Sequence, residues 1–198
     1  IFSAHVSYTK GLLYFFKTDN RVPEELRQFI SKWGYPKDEY QAFGNFTPQL
    51  YVREGRRMVG EYIMTEHNCR GTEKVTDGIG LAAYGMDSHN CQRIVVNGMV
   101  KNEGNVEVGG FPPYPVSYRS LTPKMRECTN LMVPVCLSAT HIAYGSIRME
   151  PVFMVLAQSA VMAASMAIDE KMPVQKINVN KLQQWLKADP YLENSLKK

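Results

Sequence analysis

The sequence has no concentration of positive charge. Its 23 Lys and Arg are scattered among 19 Asp and Glu, leaving a formal net charge of +4 over 198 residues. A nucleic-acid footprint needs a basic stripe, so that class of partner is not expected. Cysteine is also scarce, with four residues at positions 69, 91, 128 and 136 and no C-x-x-C pair. This argues against a zinc ribbon, a thioredoxin-type redox motif or a disulfide scaffold. Reduced thiols are the simplest reading, with one or two bridges left open. No stretch matches the ~20 strongly apolar residues of a membrane span. The most apolar segment, 152–168, contains Gln158, Ser159, Ser165 and five alanines, and reads as a buried helix of a soluble protein. A signal peptide is lacking, and so is an initiator Met. The expectation is that the natural N-terminus is absent, which leaves no basis for assigning a compartment.

What remains is ordinary for a folded chain: 44% hydrophobic and 21% charged residues, with 14 Gly and 11 Pro to supply turns. The length suits one sizeable domain or two small ones. Residues 5–16 are aromatic and aliphatic, which fits a strand or a short buried helix. Pro23 followed by Glu24 and Glu25 predicts a helix to about Trp33, stopped by Gly34. Residues 35–48 read as loop. Helix competes with strand over 49–66, where Leu50, Tyr51, Met58, Val59 and Tyr62 fall on a roughly helical period. Residues 74–110 read as mostly β, with Asn97-Gly98 as a hairpin turn. A further strand is expected at 116–119, and a final amphipathic helix at 180–188. No internal repeat or low-complexity tract is present.

The most informative segment is Leu131 to Ala167, LMVPVCLSATHIAYGSIRMEPVFMVLAQSAVMAASMA. It reads as a buried strand (131–137), a loop containing Gly145 (138–150), and a helix opened by Pro151 and ending near Asp169. Small residues at 157, 160, 163, 164 and 167 allow that helix to pack closely on a neighbour. Its N-terminus is an acceptor of negative charge, suited to the anionic edge of a reduced flavin and equally to a phosphate.

This segment resembles the last strand and helix of two-domain flavoproteins in the broad glutathione-reductase and fumarate-reductase grouping. The similarity is closest to the branch labelled FAD-dependent oxidoreductase, some members of which carry a xanthan lyase label. PQLYVREGRRMVGEYIMT (48–65), YGMDSHNCQ (84–92) and PYPVSYR (113–119) resemble the same branch. The resemblance implies an α+β fragment of such an enzyme. Residues 1–130 would be a β-rich substrate-side segment, and 131–198 the strand, loop and helix that close the FAD-binding domain. A G-x-G-x-x-G stretch is absent, and Gly109-Gly110 runs into Phe-Pro-Pro. The Rossmann-type half is therefore expected to lie in a missing N-terminal segment, and this fragment alone is expected to be inactive and to bind FAD weakly. Apolar surface left open without that segment would favour self-association.

The resemblance also implies site residues. His89, in the polar run Asp87-Ser88-His89-Asn90, would be a general acid or base oriented by Asp87, or else part of a surface turn. His141 would contact flavin or substrate, or else be a capped loop histidine. Arg148 would stabilise an anionic flavin or a substrate carboxylate, or else pair with Glu150 or another acid. Gly145, Ser146, Ile147 and Met149 would line the flavin, Ser146 and Met149 through backbone N–H groups. Apart from the resemblance, Arg53, Arg56, Arg57 and Tyr62 read as a cluster on one helix that would face an anionic substrate or the FAD pyrophosphate, or else as a solvated face paired with Glu54 and Glu61. No metal is expected, although His67-Asn68-Cys69 and His89-Asn90-Cys91 repeat a triplet. The partner is a small-molecule substrate, with hydride passing to flavin. Two other classes stay open: a non-catalytic β-rich binding module, and a carbohydrate lyase using Tyr84, His89 and Arg119.

Overall fold

A computed structural model describes residues 1–50, 55–90 and 92–188. The chain divides after residue 52 into two compact units. In the first, helix α1 (Phe2–Thr18) and helix α2 (Glu24–Ser31) are joined by a turn at Asp19. The Asp19 carboxylate accepts hydrogen bonds from the Arg21 side chain and from its backbone N–H. These bonds hold its carboxyl at about 2. Segment 5–16 is thus helical, and α1 contains no buried residue. Pro23 is the cap before α2, and Glu24 and Glu25 occupy its first turn. Residues 35–48 are loop around a short 3-10 turn at Gln41–Phe43.

Among the described residues, the second unit holds three two-stranded antiparallel sheets. β1 (Gly78–Ala82) pairs with β6 (Tyr114–Ser117), β2 (Met86–Ser88) with β5 (Val106–Val108), and β3 (Gln92–Val96) with β4 (Met99–Glu103). Asn97 and Gly98 both have positive φ, 53° and 74°, as a two-residue hairpin of this twist requires. Helices α3 (Glu66–Cys69), α4 (His141–Ile147), α5 (Glu150–Asp169) and α6 (Val179–Lys187) complete an α+β architecture.

The core lies where α5 and α6 pack on β1, which pairs with β6, and where α4 packs on β2. The buried face of α5 includes Leu156, Ser159, Ala160, Ala163 and Ala167, so the small residues do allow close approach. Ser159 Oγ donates to the Ile79 carbonyl at 2.7 Å and ties the helix to β1. Met154, Val161 and Ile168 face outward. By length and composition alone α5 would be apolar enough to cross a membrane, and seven of its described residues are buried inside the protein.

Two expectations are corrected, and one left open between helix and strand is decided: residues 55–65 form no helix. They run extended between two neighbouring segments, with Met58 N–H donating to Cys136, Glu61 N–H to Thr122 and Met64 N–H to Ser138. Backbone partners outside the segment override its helical spacing; Leu50 lies before this stretch, and Tyr51, Arg53 and Glu54 lie outside the described residues. Residues 131–137 form no strand. Pro134 has no N–H, Val133 N–H finds Leu121, and Leu131, Val135 and Cys136 are exposed. Residues 138–150 are not a loop, because α4 starts within them. Thr140 caps it, its hydroxyl accepting from Ala143 N–H at 3.4 Å.

One carboxylate fastens the end of β6 beside β1. Asp77 Oδ2 accepts from Ser117 Oγ at 2.7 Å and from Arg119 Nε at 2.9 Å. Burial pushes this carboxyl up, but the hydrogen bonds from Arg119 and Ser117 outweigh it and hold it below the ordinary range. A depressed carboxyl stabilises the fold above its unfolded value and loses that contribution as pH falls through the folded one. Asp77→Asn should therefore lower unfolding free energy by about 1–3 kcal/mol at neutral pH. In denaturant melts, the gap from the parent chain should narrow below about pH 4.

Candidate functional site

The site is built where α4 lies across β2. Helix α4 comes so close that a Cβ on Gly145 would sit 2.5 Å from the Asp87 carbonyl oxygen. Only glycine fits there without moving backbone. The contact brings the start of α4 to the end of β2, and His141 Nε2 lies 2.7 Å from Ser88 Oγ. Ser88 is buried and His141 half-buried. At the other end of α4, Arg148 folds back and is itself buried. Its guanidinium donates to the Asp87 carbonyl at 3.1 Å and to Asp87 Oδ2 at 3.4 Å, and its Nε to the Gly145 carbonyl at 3.4 Å. His141, Ser88, Asp87 and Arg148 therefore form one connected group.

His89 is the next residue along, exposed at the mouth of a cleft of about 440 Å³ shared with Tyr84, Met86, Asp87, Glu107 and Val108. Asp87 thus serves the arrangement through Arg148, where the sequence suggested a partner for His89. Arg148 makes the acid pair foreseen as its alternative, with Asp87 in place of Glu150.

The four residues expected along the flavin have different surroundings. Gly145, Ser146 and Ile147 belong to α4, so their N–H groups turn back into the helix. Met149 N–H donates to the Ile147 carbonyl at 2.8 Å. The backbone donors expected of Ser146 and Met149 are thereby used inside the protein. Ser146 Oγ bonds Tyr114 Oη at 2.6 Å and the Tyr84 carbonyl. Cys69 joins the same pocket. Burial pushes its thiol up, and burial likewise drives the Tyr114 phenol well above its ordinary value. Ile147 is a core residue. Met149 is half-buried and caps α5. The first turn of α5 supplies N–H groups, at Glu150 and Val152, that have no carbonyl within the helix.

Other candidates are dispersed. Arg119 lines a different cleft, paired with Asp77 and stacked 4.9 Å from the Tyr62 ring. It does not join Tyr84 and His89. Arg57 donates to the Ala139 carbonyl and lies over Tyr144, while Arg56 is exposed. His67 contacts Thr72, Cys69 points into the core, and Cys91 lies outside the described residues. Among the described residues, no three His, Cys, Asp or Glu are grouped to hold a metal ion. Ser88 was missed as a partner of His141. Strand alternation was the available signal, because it turns Met86 and Ser88 inward together.

Substituting Gly145→Ala should force α4 off β2. We expect a loss of about 1–3 kcal/mol in stability, read by thermal unfolding, for a substitution that ordinarily favours helix.

A family model described as FAD dependent oxidoreductase matches residues 3–186. No curated protein and no solved structure matches the chain.

Proposed function

The chain belongs to the FAD-dependent oxidoreductase family, and from that premise we propose that it forms the substrate-side wall of a site for hydride transfer between a small molecule and flavin. The observation that carries this reading is the pair of polar contacts by which α4 meets β2, His141 with Ser88 at its start and Arg148 with Asp87 at its end, two residues before α5 opens. The donor set suits an isoalloxazine edge. The N–H groups of Glu150 and Val152 offer positive partial charge at a helix start, where negative charge on a reduced flavin is favoured. The sequence has no G-x-G-x-x-G stretch, so we propose that residues outside 1–198 hold the pyrophosphate of FAD. FAD supplies the hydride acceptor, while the protein orients the substrate and handles its proton.

In this reading His141 takes or gives the proton that accompanies hydride transfer. Arg148 keeps Asp87 and the end of β2 in place, and contributes positive charge at the rear of the site. His89 contacts the substrate from the open cleft with Tyr84. The lyase alternative draws no support from the geometry, since its third member, Arg119, is committed to Asp77 in another cleft.

The test is spectroscopic. Produced together with any coding sequence upstream of Ile1, the folded protein should absorb near ~450 nm, the oxidised-flavin band. His141→Ala should retain that band and slow substrate-dependent bleaching by about 10²–10⁴-fold. A well-folded, colourless protein that takes up no added FAD would reject the proposal. Release of unsaturated sugar without an electron acceptor would favour the lyase instead.

A further inference from the structure

A second cleft, of about 320 Å³, shares no lining residue with the one that holds His89. Glu61, Asp77, Arg119, Gln175 and Lys176 are on its wall. Two buried side-chain oxygens of these residues, Asp77 Oδ1 and Gln175 Oε1, accept no hydrogen bond from any described residue. Neither belongs to a side chain set the wrong way round. Asp77 Oδ2 already takes Ser117 Oγ, Arg119 N–H and Arg119 Nε. The Gln175 amide nitrogen donates to the carbonyls of Pro123 at 2.9 Å and Cys128 at 2.8 Å, so exchanging its oxygen and nitrogen would set oxygen against oxygen twice. Buried acceptors are ordinarily satisfied. Two on the residues of one cleft suit a ligand that brings N–H donors.

The cleft also carries cationic donors. Arg119 gives its backbone N–H and its Nε to Asp77, and its terminal nitrogens bond no described residue. Lys176 is exposed, with no acid partner among the described residues. Glu61 Oε1 accepts from Met125 N–H at 2.8 Å, which leaves Oε2. Two acids and two bases make the wall neutral in sum, so a ligand carrying both charges gains more than one carrying either.

We propose that this cleft binds a free α-amino acid as its zwitterion. The ammonium has three donors and no acceptor, matching Asp77 Oδ1, Gln175 Oε1 and Glu61 Oε2. The carboxylate accepts from the terminal nitrogens of Arg119 and from Lys176. Exposed Met125 and half-buried Val179 supply apolar wall for a short side chain. No bond is made or broken there, and the proposal stands independently of the flavin reading.

The test needs no flavin. The ¹⁵N-labelled 198-residue chain is titrated with L-alanine at neutral pH and constant ionic strength, and its backbone amides are followed by NMR. The amides of Arg119, Gln175 and Lys176 should shift saturably, with a dissociation constant on the order of 1 mM. Methylamine and acetate each carry one half of the zwitterion and should bind at least about tenfold more weakly. Lys176→Ala should weaken L-alanine binding by about two- to fivefold, as expected for an exposed charge. Gln175→Leu should weaken it by about tenfold or more. The proposal is overturned if those amides show no saturable shift, if methylamine or acetate binds as well as L-alanine, or if Gln175→Leu binds like the parent chain. If Gln175→Leu fails to fold, the two half-molecules and Lys176→Ala decide: weaker binding in all three cases supports the proposal, and any other result overturns it.

Discussion

Gly145 carries no side chain, and that allows α4 to rest directly on the backbone of β2 at Asp87. The rest of the site depends on this contact. Without it, His141 would not reach Ser88, and Arg148 would not reach the carbonyl and carboxylate of Asp87. A buried guanidinium needs partners, because an unpaired charge out of water is strongly unfavourable. Arg148 finds them on the strand that Gly145 lets in. Sterics and electrostatics thus reinforce one another across α4 and β2.

A second tier of polar contacts supports this one from the core side. Ser146 lies beside Gly145 and bonds both Tyr114 on β6 and the Tyr84 carbonyl before β2. Ser159 binds α5 to β1. Each is a buried hydroxyl satisfied by a specific partner, which favours one packing over alternatives of similar apolar burial. The histidine at the start of α4 and the helix start of α5 are consequently held on rigid elements. A site that binds a planar cofactor edge gains from such preorganisation.

The resemblance read in four stretches of sequence and the family match over 3–186 agree on an FAD-dependent oxidoreductase. The local structure of the key segment was less legible. LMVPVCL has the composition of a buried strand, yet a strand requires a backbone partner on a neighbouring segment. Here only single hydrogen bonds reach it, with Pro134 interrupting the ladder. Residues 138–150 read as loop, yet α4 forms within them. Gly145 is there for proximity to Asp87, a reason that short-range spacing does not contain.

By itself, the sequence determined the features governed by neighbours along the chain. These are the Asn97-Gly98 hairpin, the helix that follows Met149 and the final helix at α6. Each follows from local φ preferences, capping or periodicity. Only the tertiary structure decided which polar residues meet. Arg148 chose Asp87, 61 residues away, and His141 chose Ser88, 53 residues away. Such pairings depend on how a helix and a strand are stacked, and that distance in space is not encoded in the spacing of either residue within its own segment.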